Sequence, residues 1–342
     1  MSAPTLPHTR RTPLMRHYQQ WLAQHYDLHF DSYDALWRWS TTDLEAFWQS
    51  IWRYFDIQSP TPHSAALGRN CMPGAQWFPG AQVNYAQQVL RHVEAADAAG
   101  MPAVIADNEL GEVTTLSWPE LRRQVAALAL HLQAQGIRPG DRVAAYLPNI
   151  PQAMVAMLAV VSIGAVWSVC SPDMGTAAVL DRFEQIAPKA LIAVDGVYYA
   201  GKPMDRSSIV QELRARLPSL QHCIVLSTRW AQAPVQGAAD WNTLMQRDDA
   251  QLHSFTPPVA ALRPPAVDCV FQRHHRPAQA HRAWPRRHHA GGPDHEGPAQ
   301  RCGLQLCARE LGGTLSLVQL YRLGDVELAA RRSFGRHDLC DL

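Results

Sequence analysis

Four short apolar runs set the strongest limit on what this chain can fold into: RVAAYL from Arg142, AVWSV from Ala165, ALIAV from Ala190 and HCIVLS from His222. None alternates polar with apolar residues, so each reads as a strand buried on both faces. The stretches between them, 150–163, 176–187 and 206–216, carry helical spacing. Buried strands separated by helices imply parallel pairing, with the helices covering the sheet. Just upstream, AVIAD and VTTL flank the turn NELGE and predict a hairpin. Ser117, with Glu120 three residues on, is then placed to cap a helix whose buried stripe is Leu121, Val125, Leu128 and Leu132, ended by Gly136.

The remaining chain must accommodate that unit. At 342 residues and 47% hydrophobic content there is material for two ordinary globular domains. A net charge of +1 gives no global attraction to nucleic acid or to a membrane surface. The apolar run from Ala153 to Cys170 approaches the length of a membrane span. Pro148, Asn149 and Pro151 open it as a helix, however, and Gly164 divides it into helix and strand, so a buried core pair is expected. Cysteines at 71, 170 and 223 stand singly and the N-terminus has no signal pattern, which points to a reducing cytoplasm. Residues 1–65 read as helical, with Leu44, Phe47, Trp48, Ile51, Trp52 and Phe55 forming one stripe, capped from Thr41 or Thr42 with Glu45 as the reciprocal partner. The turn-rich segment MPGAQWFPGAQVNYAQQVLRH follows as an irregular crossing, and 229–262 reads as a looser excursion before a further core strand.

The composition breaks at Arg263. Residues 263–342 hold twelve arginines, no lysine, seven of the sixteen histidines and four of the seven cysteines. One reading is a basic tail that binds metal or RNA. Its His274, His275, His281, His288, His289, His295, Cys302 and Cys307 match no paired Cys/His finger spacing. Aromatic residues for base stacking are nearly absent there. A change of reading frame accounts for the break more fully. With the last two bases of each codon joined to the first base of the next, Gln279 before Ala280 can encode only Lys or Arg, and Trp284 before Pro285 forces Gly. Beneath Phe271 to His289 the string SSGTTGLPKPIVHGHGGIM satisfies every such constraint. FDHPLW fits beneath Leu262 to Val267, and HWYSSTGWVMWN beneath Ser316 to Glu327. Asp341-Leu342 can begin I-Y in the same frame.

The shifted string resembles the Ser/Thr/Gly-rich phosphate loop of the AMP-forming acyl-CoA synthetases, which ends in a lysine. In frame, TLSWPEL…GIRPGDRVAAYLPNIPQAMVAMLAVVSIGAVWSVCSPDMG and DRFEQIAPKALIAVDGVYYAGKPMD are similar to the N-terminal core of the same superfamily, over residues 30–262. Within it, LWRWS…FW and the WFPGAQVNYA segment most resemble the acetoacetyl-CoA synthetases. Acetyl- and propionyl-CoA synthetases share the extension but differ in that segment, and a fragment of one of these is the alternative. The resemblance implies an α/β fold: a helical extension over 1–100, a partial AMP-binding core with a parallel sheet and covering helices over 101–262, and an irregular out-of-frame tail over 263–342 with no domain of its own.

That family activates a carboxylate with ATP and magnesium, releasing diphosphate, and then passes the acyl group to the CoA thiol as AMP leaves. The resemblance therefore implies acetoacetate, ATP and CoA as small-molecule substrates, with neither nucleic acid nor membrane as partner. It leaves the oligomeric state open. A phosphate loop that is not translated, and a nucleotide site and lid expected beyond Leu342, imply a truncated ligase that is inactive as translated. Only CoA-side positions survive. By resemblance, Trp167, Val169 and Ser171 fall beside the pantetheine path, while Tyr199 and Lys202 occupy the positions of a basic pair that meets a CoA phosphate. Tyr199 departs from that pattern, and Lys202 reads first as an ordinary solvated surface lysine.

Overall fold

A computed structural model describes residues 14–71 and 74–260, together with the backbone of 261, 269–271 and 279–281. The chain divides into two compact units at the Ala81–Gln82 junction.

The first unit is built on three helices, α1 (Leu14–Tyr26), α2 (Tyr33–Thr42) and α3 (Leu44–Tyr54). The cap of α3 differs from expectation. Asp43 accepts from the Ala46 N–H at 3.1 Å, whereas the Thr41 and Thr42 hydroxyls donate back to the Arg38 carbonyl inside α2. Glu45 is thereby freed from a capping box. Its two carboxylate oxygens accept from Ala66 N and Leu67 N, both at 2.8 Å. The apolar stripe of α3 packs on the WFPG turn, with Trp52 and Phe78 ring centroids 4.5 Å apart and Trp48 and Trp77 5.5 Å apart. Gly80 is required there, because its φ is +97° and a Cβ would meet the Pro62 carbonyl oxygen at 2.8 Å.

In chain order the second unit runs β1 (Gln82–Val83), α4 (Tyr85–Leu90), α5 (Val93–Ala98), β2 (Val104–Asp107), β3 (Val113–Leu116), α6 (Trp118–Ala134), β4 (Arg142–Tyr146), α7 (Pro151–Ser162), β5 (Val166–Cys170) and α8 (Thr176–Ile186). It continues through β6 (Ala190–Val194), β7 (Gly196–Tyr199), β8 (Lys202–Asp205), α9 (Ser207–Arg216), β9 (His222–Leu226), β10 (Ala239–Asp240), α10 (Trp241–Met245), α11 (Ala250–Ser254) and β11 (Ala260–Ala261). Two further strands, β12 (Cys269–Phe271) and β13 (Gln279–His281), pair antiparallel.

The four apolar runs form the expected parallel sheet, in the order β10-β9-β6-β4-β5. Its fifth strand, β10, lies in the segment read as loose, and two residues give too short a pattern to read. Alternate side chains divide the core in two. Val143, Ala145, Ile192 and Ile224 join the cluster of α6 and α7, while Ala144, Tyr146, Leu191, Ala193 and Val225 join that of α8 and α9. Ser117 caps α6 through the Glu120 N–H at 3.3 Å. The Glu120 carboxylate turns instead to Arg123 and Gln124, so the box is not reciprocal. The long apolar run resolves into α7 and β5 around Gly164, whose φ is +74°. Among the described residues no helix is long and apolar enough to cross a membrane.

Strands β4 and β6 are pinned at their starts by Lys189, which donates to Asp141 Oδ2 at 2.7 Å; the same oxygen accepts from Arg138 N at 2.9 Å. Burial pushes the Asp141 pKa up, but the bonds from Lys189 and Arg138 outweigh it and hold the carboxyl below its ordinary value. A depressed carboxylate contributes stability that is full above the unfolded value of about 3.9 and is lost as pH falls through the folded pKa. Asp141→Ala is expected to cost about 1–3 kcal/mol at neutral pH. Urea unfolding at stepped pH should find this difference shrinking below about pH 4. A difference that persists undiminished in acid would place the loss elsewhere than in the carboxylate.

Candidate functional site at the carboxyl edge of the sheet

The chain leaves β4 for α7 on one face of the sheet and leaves the neighbouring β6 for α9 on the other. The two connections part at the carboxyl ends of β4 and β6, and ligands of open α/β sheets bind in the crevice opened in this way. Three segments border that edge: the loop 171–175 after β5, the β7–β8 hairpin after β6, and residues 227–230 after β9.

Each is anchored by a buried group. Tyr146, the last residue of β4, donates its hydroxyl toward the carbonyls of Pro172 and Met174, both at 3.0 Å. Burial pushes the phenol up to about 12, so it stays protonated and remains a donor. Arg206 reaches the Pro172 carbonyl from the far side, with Nε at 2.7 Å, and thereby joins the exit of the hairpin to the loop after β5. Asp195, 3% exposed, accepts from Thr228 N and Thr228 Oγ1 at 2.8 Å each, while its carbonyl accepts from Arg206 N at 2.7 Å. Gly196 lets residues 228–230 close in, since a Cβ there would lie 2.8 Å from Thr228 Oγ1 and from Trp230. Cys170 lies nearby, but burial pushes its thiol up to about 11 and suits it to packing rather than nucleophilic chemistry.

The sequence candidates fall on this frame in two groups. On β5, Trp167 is 4% exposed and packed in the core, whereas Val169, two residues on along the same face, is 50% exposed and Ser171 is exposed beyond it. On the hairpin, Tyr199 and Lys202 are cross-strand partners on either side of a two-residue turn. Both are exposed. Arg206 ties the loop holding Ser171 to the exit of the hairpin, although Trp167 does not reach the surface. Sequence reasoning missed Tyr146, Asp195, Arg206 and the hairpin itself. The Asp-Gly pair closing the apolar run at Val194 marks the end of β6 only; Gly196 is needed for the close approach of residues 228–230, and the chain reverses at Ala200-Gly201, a weak turn signal.

Among the described residues no group of three or more His, Cys, Asp and Glu side chains is placed to hold a metal ion. The segment carrying the shifted phosphate-loop string, and the tail histidines and cysteines considered as zinc ligands, lie outside the described side chains.

A doubly wound parallel sheet with its carboxyl edge framed in this way defines an α/β domain of the class whose members bind ligands at that edge. Comparison with known proteins carries this further. The AMP-binding enzyme family model matches residues 92–271, and that of the acetyl-coenzyme A synthetase N-terminus matches residues 33–89. The chain belongs to the AMP-binding enzyme family. It is 40% identical over 207 residues to the acetoacetyl-coenzyme A synthetase of Rhizobium meliloti, covering 60% of this chain and 31% of that protein. It is 34% identical over 200 residues to the malonamoyl-CoA synthetase of Penicillium aethiopicum, covering 58% of this chain and 28% of the other. The structure of acetoacetyl-CoA synthetase from Streptomyces lividans superposes with a TM-score of 0.69 at 42% identity, over 77% of this chain and 40% of that one. The matched region thus spans less than half the length of each relative.

Proposed function

We propose that the chain is the N-terminal part of a cytoplasmic acetoacetate–CoA ligase whose phosphate loop is encoded one frame away, so that the polypeptide as translated does not form acetoacetyl-CoA. The family reaction joins acetoacetate to CoA at the expense of ATP, giving AMP and diphosphate. The observation that carries the reading is a coincidence of position. The family match runs out at residue 271, where the shifted string SSGTTGLPK begins.

In this reading residues 101–262 are a partial synthetase core. Val169 and Ser171 border the path of the CoA arm, with Trp167 packed behind them, and the Tyr199–Lys202 turn faces a CoA phosphate. The chemistry of the donors suits an anion only in part, because Lys202 supplies one exposed ammonium and Tyr199 supplies no charge. Magnesium and the phosphates of ATP would be held by groups of the shifted loop, whose backbone N–H donors and lysine compensate developing negative charge.

The nucleotide sequence of the locus tests this reading. The codons of Gln272 to His289 are expected to read SGTTGLPKPIVHGHGGIM in the neighbouring frame; codons that spell any other string overturn the proposal.

A further inference from the structure

The tip of the β7–β8 hairpin already holds an anion, and the anion belongs to the protein. Ala200 and Gly201 form the two-residue turn, with φ of +52° and +75°. Their N–H groups point out of the hairpin and are both taken by one carboxylate: Ala200 N donates to Glu109 Oε1 at 3.1 Å and Gly201 N to Glu109 Oε2 at 2.9 Å. Paired backbone N–H groups in a turn are an anion-accepting device. The next residue is Lys202, which is exposed, and among the described residues its ammonium has no carboxylate partner.

Glu109 is presented by a built turn. Asn108 Oδ1 accepts from Leu110 N and Glu112 N, each at 3.0 Å, and thereby shapes the loop between β2 and β3. Glu112 pairs with Arg229 at 2.9 Å. The Arg229 guanidinium lies 4.4 Å from the Trp230 ring centroid, and that ring is 5.3 Å from Tyr198 on the hairpin. The loop that carries the carboxylate and the hairpin it fills are therefore both braced by one segment, residues 229–230. Two N–H donors followed in the chain by an exposed lysine would suit a phosphate monoester, whose dianion offers three acceptor oxygens. Glu109 stands in that place with one negative charge.

We propose that Glu109 is a built-in competitor for phosphate at this hairpin, and that it sets the preference of the surface between CoA, which carries a ribose phosphate monoester, and dephospho-CoA, which does not. The inference rests on the CoA reading of Tyr199 and Lys202. A bound monoester must displace the carboxylate from the two N–H groups, so binding costs the protein two charge-assisted hydrogen bonds and places like charges together. Removing the charge of Glu109 removes most of that opposition.

Isothermal titration of the full chain with CoA and with dephospho-CoA, for wild type and Glu109→Gln, tests this. The variant is expected to bind CoA about tenfold more tightly, since it relieves one close like-charge contact. Its affinity for dephospho-CoA should stay within about twofold, because the monoester is missing. Glu109→Ala should move CoA binding in the same direction. Equal changes for both ligands, or weaker CoA binding in the variants, overturn the role of Glu109 while leaving the CoA reading in place. Absence of binding by either ligand to any of the three proteins overturns both.

Discussion

Purified protein incubated with ATP, magnesium, acetoacetate and CoA is expected to release pyrophosphate at the background rate. Adenylation of a carboxylate builds negative charge at the phosphate under attack, and the donors that meet that charge supply much of the rate. Loss of a single such donor commonly costs a factor of about 100–1000. In the proposed reading the whole loop is replaced, since the Ser, Thr, Gly and Lys side chains of the shifted string become Gln, Arg, His and Pro in translation. In the same reading the CoA-side residues do not compensate, because their proposed role is in the second half-reaction. A coupled pyrophosphate assay, with protein prepared from a host lacking its own acetoacetate ligase, reads the outcome. Acetoacetate-dependent release above background would mean that the translated tail contains a working nucleotide site.

The second large effect concerns the scaffold. Phe183 on α8 is 0% exposed and belongs to the cluster that includes Tyr146, Leu191 and Ala193. Phe183→Ala is expected to destabilise the second unit by about 3–5 kcal/mol, through lost burial and the cavity left behind. Denaturant unfolding followed by tryptophan fluorescence should find a lower midpoint with little change in slope. A cost below about 1 kcal/mol would mean that the site collapses around the smaller side chain and that this face is loosely packed.

What the sequence made legible follows from how locally each feature is encoded. The parallel sheet could be read because β4, β5, β6 and β9 are uninterrupted apolar runs, and burial on both faces needs that composition. Ser117 was readable as a cap since the cap and its N–H partner lie three residues apart. The α3 cap was misplaced by one or two residues because Asp43 and the two threonines before it are all competent, and only the backbone decides which side chain turns forward. The hairpin at 196–205 escaped because its turn is Ala-Gly rather than a pair that marks left-handed backbone more strongly. Glu109 could not be found at all, since its partners lie 91 and 92 residues away and only the fold brings them together. Of the candidate positions, Tyr199 and Lys202 emerge as a true cross-strand pair, whereas Trp167 proves to be core. Spacing along β5 gives the face of a residue but not how far the covering helix extends.

The central claim is that a synthetase core is present and its phosphate loop lies in the neighbouring frame. The most direct measurement compares pyrophosphate release by the protein made from the gene as it stands with release by the protein made after one nucleotide is deleted near codon 263. The account predicts background release from the first and acetoacetate-dependent release from the second, at least about 100-fold higher. Turnover by the first protein, or none from a folded second protein, would contradict it.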